Sequence, residues 1–277
     1  MTLRLRLTAA VSAAYLLLAI PASAQYGRRS SLSDPATGET YRVEIGGFLW
    51  NPSPEIAIAS ESIELIGVAP SRIDFVEDFG IEDKTFRQLR VALRPGRKHK
   101  LRFEYTPNRF TEEARISREL IFNGQRYGIT LPVLADLKWN AMRFGYEWDF
   151  LYRDRGFFGV LLDVKYTDVE ASLENALIGR EFVSARAPIP AIGVIGRAYV
   201  VPNVSITGEF SGFKLPEGID EDSRGKYFDF DLYGTVNFSD HFGAQAGYRS
   251  LTVFYKVEED EGDFKMKGLY FGGVVRF

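Results

Sequence analysis

The sequence predicts an all-β chain that closes into one antiparallel transmembrane β-barrel of about ten strands, with eight or twelve strands as the alternatives. Three observations predict this fold: an N-terminal export signal, segments with one apolar and one polar face, and short turns that alternate with long connections. Aromatic residues make up 14% of the chain, which has 26 Gly and no Cys. This composition favours strands over helices and excludes a fold held by disulfides.

The N-terminal residues have the three parts of a secretory signal peptide. Arg4 and Arg6 precede an apolar run that ends near Ile20, and small residues follow it. The run is shorter than the roughly 20 residues that a membrane-spanning helix needs. We therefore expect cleavage between Ala24 and Gln25. The predicted organisation is a signal peptide, a flexible N-terminal leader and an outer-membrane barrel, at 1–24, 25–39 and 40–277.

Side chains alternate in character most clearly in Lys226–Phe238. Phe228 and Phe230 lie on one face of this segment, and Asp229 and Asp231 lie on the other. In a membrane barrel the apolar face contacts lipid and the polar face points into the lumen. Ten strands are predicted in this way: Thr40–Trp50, Thr85–Arg94, Lys98–Arg109 (with an alternative end at Ile121), Arg126–Phe150, Gly156–Leu173, Phe182–Val201, Val204–Lys214, Lys226–Phe238, Gly243–Val257 and Phe264–Phe277.

Two segments interrupt the alternation, Lys138–Met142 and Ser250–Tyr255. Each is interpreted either as a β-bulge or as a strand end that rises above the bilayer. Both interpretations keep the segment within its strand.

The connections between the strands alternate in length. Four are tight turns with Gly, Pro, Asn or Asp, at 94–98, 152–156, 201–203 and 238–242. The others are longer, as at 51–84 and 215–225. Outer-membrane barrels have short periplasmic turns and long external loops, and a soluble sandwich has no reason to keep this alternation. The first long loop contains four apolar residues close together, which predict that part of it is ordered and partly buried. They are Ile63, Leu65, Ile66 and Val68.

The chain ends in the motif "GLYFGGVVRF". Tyr270, Gly272, Val275 and Phe277 in this ending resemble the C-terminal signature of bacterial outer-membrane β-barrel proteins. The stretch at 71–105 also resembles uncharacterised proteobacterial members of that superfamily, which implies no activity. The resemblance implies recognition by the barrel-assembly machinery and a monomer in the bacterial outer membrane, surrounded by lipid and lipopolysaccharide.

The inward faces carry charges of both signs. A barrel of about ten strands has little more than side-chain room inside, and buried charges need partners. We therefore expect a lumen closed by ion pairs, with a polar channel or ligand pocket as the alternative. The predicted inward charges are Arg42, Arg90, Arg102, Arg143, Lys165, Arg197, Arg249, Glu44, Glu104, Glu147, Asp149, Asp163, Glu209, Asp229 and Asp231.

The sequence predicts no catalytic, cofactor-binding or metal site. The two histidines, His99 and His241, lie in or beside tight turns, away from the outer rim where an enzyme of this class would work. Lys and Arg number 34 against 37 Asp and Glu, which offers no basic surface for nucleic acid. The acidic segment at 258–263 matches no calcium-loop spacing. The predicted function is structural or surface-interaction, with a passive solute channel and a carboxylate-based rim enzyme using Asp229 and Asp231 as alternatives.

Overall fold

The computed structural model describes residues 36–59, 71–122, 125–129, 132–177, 179–215, 223–257 and 260–277. The predicted signal peptide, its cleavage site at Ala24 and Gln25, and the leader up to residue 35 lie outside these ranges. The apolar group between Ile63 and Val68 lies outside them too. No helix among the described residues is long and apolar enough to cross a membrane.

Ten long strands form one closed antiparallel sheet, so the predicted barrel and its strand number are confirmed. The sheet runs through β1, β3, β4 and β7 to β13 in chain order, and β13 pairs with β1 to close it. The described strands are β1 (Val43–Ala59), β2 (Ile73–Asp74), β3 (Phe86–Gly96), β4 (His99–Ala114), β5 (Leu120–Phe122), β6 (Gln125–Tyr127), β7 (Val133–Arg153), β8 (Gly156–Asn175), β9 (Gly179–Val201), β10 (Val204–Lys214), β11 (Ser223–Asn237), β12 (Phe242–Val257) and β13 (Asp260–Arg276).

The four predicted tight turns join β3 to β4, β7 to β8, β9 to β10 and β11 to β12. They therefore lie at one end of the barrel, which is the periplasmic end of an outer-membrane barrel. The two chain ends meet there as well, since the Arg42 amide donates to the Phe277 carbonyl oxygen at 2.7 Å.

Strand β1 continues well beyond its predicted end at Trp50. Its outer part contains Pro52 and Pro54 and pairs with β13, whereas its pairing with β3 stops at Trp50. Proline has no N–H to donate, so it fits a strand whose neighbour on one side has ended. Three short strands lie outside the ten long ones: β2 pairs with the outer end of β1, and β5 pairs with β6 as a separate hairpin. The predicted start at Arg126 of the strand ending at Phe150 is therefore wrong, since Arg126 belongs to β6 and the long strand β7 begins at Val133.

An apolar belt surrounds the periplasmic half of the barrel. Leu162, Phe144 and Ile192 point outward and are 54, 53 and 66% exposed. In water such a continuous apolar surface would promote association, whereas in a bilayer it contacts acyl chains. The outward residues predicted for β11 and its following turn belong to this belt: Phe228, Phe230, Leu232, Val236 and Phe238.

The outer half of the barrel has an apolar interior instead. Inward side chains such as Trp50, Ile56 and Leu137 pack there in one buried cluster. Phe75 belongs to the same cluster and comes from the segment after β2, and Leu120 comes from β5. The first long connection and the small hairpin therefore contribute to the core that fills the outer end.

The two segments that interrupt the alternation are not bulges. The register of β7 with β4 is continuous from Val133 to Trp148, and that of β12 with β13 is continuous throughout. In β7, Trp139 points into the apolar core and Lys138 points outward. The strand keeps its inward and outward faces, but in its outer part the apolar residues point inward and the polar residues point outward. This is the arrangement expected of a strand end that rises above the bilayer into water.

Candidate functional site

Asp229 on β11 forms the centre of an ion-pair network inside the barrel. Its two carboxylate oxygens accept hydrogen bonds from Arg249 Nε at 3.0 Å and Nη2 at 2.8 Å. Lys165 Nζ lies 2.9 Å from Asp229 Oδ2 and donates to Ser211 Oγ at 2.7 Å. The remaining Arg249 nitrogen, Nη1, bonds Glu104. These bidentate and charge-assisted contacts connect five strands across the lumen.

A second group of charges lies beside the first. Arg143 is placed between Asp163, at 2.8 Å, and Glu209. Glu209 also pairs with Arg102 at 2.8 Å, and Arg102 reaches Glu147 at 3.3 Å. Each acid therefore contacts at least one buried cation, which offsets the cost of removing it from water.

Arg90 links the network to the C-terminal strand. It lies 3.5 Å from Glu104 and 3.0 Å from Asp231. The Tyr270 hydroxyl donates to Asp231 at 2.8 Å. Tyr270 was predicted only as part of the assembly signal, and in the folded barrel its side chain is buried in the lumen.

Two of the four assembly-signal residues point inward and two point outward. Gly272 points inward, where a Cβ atom would lie 2.1 Å from the Gly47 carbonyl oxygen, so the close approach of β1 requires glycine. Val275 is half-buried on the outward face, and Phe277 is 67% exposed at the end of that face. The two outward residues are therefore accessible from outside the barrel, as recognition by another protein needs.

The N-terminal segment closes the periplasmic end. Glu39 lies 2.9 Å from Arg197 Nη1 and accepts a hydrogen bond from the Tyr199 hydroxyl at 2.8 Å. Burial alone would raise the pKa of Glu39, but the charges of Arg197 and Lys100 and the two hydrogen bonds lower it to about 2. The carboxylate therefore stays ionised and holds the segment against the barrel.

Residues 36–39 were assigned to the flexible leader from the sequence, and the structure corrects this boundary. The Thr37 amide donates to the Pro202 carbonyl oxygen at 2.7 Å, and Asn237 Nδ2 donates to the Thr37 carbonyl oxygen at 2.7 Å. Gly38 has a φ of 84°, which only glycine adopts without strain. The part of the chain that packs on the barrel therefore begins before residue 40.

Among the described residues, Arg42 is the one predicted lumen residue that forms no ion pair. It precedes β1 and is exposed at the periplasmic end. Its neighbour in the prediction, Glu44, instead accepts a hydrogen bond at 2.5 Å from Arg276, a buried residue that was not predicted. The alternation placed Arg42 on the same side as Glu44, but it carries no information on the position of a residue along the barrel axis.

Lys100 is missing from the predicted inward set, although it shares the inward face of β4 with Arg102. Its ammonium group contacts Glu147 and lies 2.9 Å from Asp149 Oδ2. Continuing the alternation from Arg102 by one step would have found it. The same alternation, continued from Arg90, would have found Arg94, which contacts the Glu39 carboxylate from the end of β3.

Neither histidine is placed for chemistry at the outer rim. His99 Nδ1 lies 2.6 Å from the Tyr146 hydroxyl, and His241 Nδ1 lies 3.1 Å from the Arg276 carbonyl oxygen, both at the periplasmic end. Within the described ranges, no group of three or more His, Cys, Asp or Glu side chains is arranged to hold a metal ion.

Comparisons with known proteins agree with the fold. OmpT, an outer membrane protease from Escherichia coli, superposes with a TM-score of 0.54 over 89% of this chain and 100% of its own, at 10% sequence identity. The chain has the fold of a bacterial outer-membrane β-barrel. This confirms the resemblance carried by the C-terminal motif, and the fold and its apolar belt agree with the predicted location in the outer membrane.

Other solved barrels are less similar. Ail of Yersinia pestis has 9% identity and a TM-score of 0.37, over 85% of this chain and 99% of its own. The Pseudomonas putida toluene transporter TodX has 8% identity and a TM-score of 0.36, over 88% of this chain and 92% of its own. No protein-family model and no curated protein matches the sequence. The likeness to OmpT, at 10% identity, shows the fold alone, and none of these neighbours assigns an activity to the chain.

Proposed function

We propose that the protein is a non-conducting outer-membrane barrel whose lumen is closed by its ion-pair network and whose outer part is available for surface interactions. The observation that carries this proposal is the buried network around Asp229, in which Arg249, Lys165 and Glu104 connect opposite walls. Ion pairs that span the lumen leave no column of water along which an ion could move.

The spaces inside the network support the same conclusion. Two voids among these charges measure about 40 and 20 Å³. Each can hold only a few water molecules, since one water needs roughly 10–15 Å³ of such volume. The Glu39 segment below the network and the apolar core above it add two further layers along the same axis.

Planar-bilayer conductance of the refolded protein tests the proposal. The unmodified barrel is expected to give no steady conductance. The variant Arg143→Ser/Glu209→Ser removes one cation and one anion from the lumen and is expected to give measurable current steps. Arg109→Ser/Asp136→Ser is the matched control, because it removes an exposed pair from the outside of the barrel. Steady conductance from the unmodified barrel would contradict the proposal and favour the passive channel.

The carboxylate-based rim enzyme has less support. Asp229 and Asp231 are both buried, and each contacts a cation inside the network. A general acid or base needs contact with its substrate, and these two groups already have partners within the lumen.

A further inference from the structure

In the described part of the chain, the wall of the barrel has a gap in its outer half, between β9 and β10. The β9–β10 pairing runs only as far as Ile192 and Gly212, whereas β9 stays paired with β8 as far as Gly179. Among the described residues, the outer part of β9 therefore has a neighbouring strand on one side only. Pro188 and Pro190 lie in this part, where the missing N–H groups cost no ladder hydrogen bond.

A cavity of about 630 Å³ passes through this gap. Trp139, Val169 and Tyr227 line it from the inside of the barrel, and Pro188 and Phe213 line it at the gap. Its volume lies within the roughly 300–1,000 Å³ typical of pockets that hold one small ligand. The lining is mostly apolar, so the cavity suits an alkyl chain better than a hydrated solute.

Four cations stand around the opening, and none of the described residues that line the cavity is acidic. Two of the cations, Arg224 and Lys256, are directly opposite each other on β11 and β12. Like charges in this position destabilise a strand pair unless an anion lies between or beside them. The four cations are Arg186, Arg224, Lys226 and Lys256.

The acidic residues that the structure describes near Arg224 and Lys256 have other partners or are not within ion-pair distance. Glu261 is opposite Lys256 on β13 but forms its ion pair with Arg72 at 2.7 Å. Asp168 binds Arg186 at 2.9 Å. Among the described residues, neither Arg224 nor Lys256 has a carboxylate within ion-pair distance, so both cations are available to an anionic group from these sides.

The opening lies at the upper edge of the apolar belt. Ile192, Phe210 and Phe228 point outward on adjacent strands just below it, and they are 66, 46 and 43% exposed. Lys226 is one outward position further along β11. A molecule at this height can therefore place an apolar chain in the wall and a charged group in the interface.

We propose that this cavity binds a single-chain anionic amphiphile, with the alkyl chain inside the cavity and the anionic head group on Arg224 and Lys256. The site lies in the apolar outer half of the barrel, beyond the ion-pair network. It is therefore a binding function additional to the closed lumen, and it requires no conduction.

Tryptophan quenching by a brominated fatty acid tests the proposal directly. The chain has three Trp residues, and Trp148 faces the lipid, so the measurements use a Trp148→Phe background. The refolded protein in detergent micelles is titrated with an octadecanoate brominated in its chain. We expect saturable quenching, and we expect Trp139→Phe to remove most of it because Trp139 lines the cavity.

Charge and volume variants separate this site from partition into the micelle. Arg224→Gln/Lys256→Gln should weaken the saturable quenching by at least about tenfold, since it removes two charge-assisted contacts. The methyl ester of the same acid should bind with a similar loss. Arg87→Gln/Lys98→Gln is the matched control, because it neutralises one exposed Arg and one exposed Lys that do not line the cavity, and it should leave binding unchanged. Ala171→Leu, which adds volume to the lining, should reduce binding while the fold is retained.

Several results would overturn the proposal. Quenching of the Trp148→Phe protein that never saturates would show partition without a site. Equal affinity of the acid and its methyl ester, or of the unmodified and Arg224→Gln/Lys256→Gln proteins, would show that the site does not recognise an anionic head group. Displacement of the brominated acid by lipopolysaccharide would show that the site binds a multi-chain lipid and not a single-chain amphiphile.

Discussion

Replacing Asp229 with Asn removes one negative charge from the centre of the barrel and leaves the side-chain shape nearly unchanged. In the folded protein Asp229 contacts both Arg249 and Lys165. Arg249 keeps Glu104 as a partner after the substitution. Lys165 has no second carboxylate within ion-pair distance among the described residues, so the loss falls mainly on this lysine.

The magnitude follows from the burial of the lysine. The Lys165 side chain is 4% exposed, and its remaining contacts are the Ser211 hydroxyl and the ring of Tyr227, 4.3 Å from Nζ to the centroid. A buried charge that loses its partner typically costs about 3–5 kcal/mol. We therefore expect Asp229→Asn to lower the free energy of unfolding by that amount. Adding Lys165→Met removes the orphaned charge and should restore about 0.5–3 kcal/mol of it.

Reversible urea unfolding in lipid or detergent, followed by tryptophan fluorescence, measures these differences. Asp168→Asn is the matched control, because Asp168 has the same side chain and pairs with the exposed Arg186 on the outside of the barrel. An exposed pair of this kind contributes about 0–1 kcal/mol. If Asp229→Asn costs no more than Asp168→Asn, or if Lys165→Met makes the double variant worse than the sum of the two changes, the ion pairs do not hold the lumen together as argued.

Three further predictions concern the belt, the terminus and the periplasmic end. Phe230→Arg, on the lipid face, should cost roughly 2–4 kcal/mol if it lies near the bilayer midplane, and a silent substitution in the same unfolding assay would argue against the membrane face. Deletion of Phe277 should reduce membrane insertion in cells far more than the stability of refolded barrels; equal insertion of the truncated chain would count against the assembly signal. Glu39 has a pKa of about 2 in the folded state against an ordinary value of 4.5, so its contribution to stability is fully present above about pH 4.5 and is lost as the pH falls toward 2. Glu39→Gln should remove that part of the acid dependence of unfolding, and an unchanged acid profile would contradict the role of this carboxylate.

The alternation of side chains was sufficient to predict the ten strands and most of the lumen, because a barrel forces every second residue inward. It failed where other constraints decide the structure. The first strand was predicted to end at Trp50, but the missing neighbour on the β3 side lets β1 continue through Pro52 and Pro54. Arg42 has the correct parity but lies below the lumen, and Glu39 lies in a segment with no periodicity at all.

The exchange of polar and apolar faces explains both the length of the strands and the position of the proposed ligand site. Strand β7 has 21 residues, whereas a tilted strand needs only about 9–11 to cross a bilayer. In the periplasmic half of β7, Phe144 points out of the barrel toward lipid and Arg143 points into the closed lumen. In the outer half, Lys138 points out of the barrel toward water and Leu137 points into the apolar core. At the level where the faces of β7 exchange, the apolar interior begins where the apolar exterior ends. A gap in the wall at this level, as between β9 and β10, connects the apolar interior with the apolar belt outside. The ion pairs then stay out of contact with lipid, and the outer core stays out of contact with water.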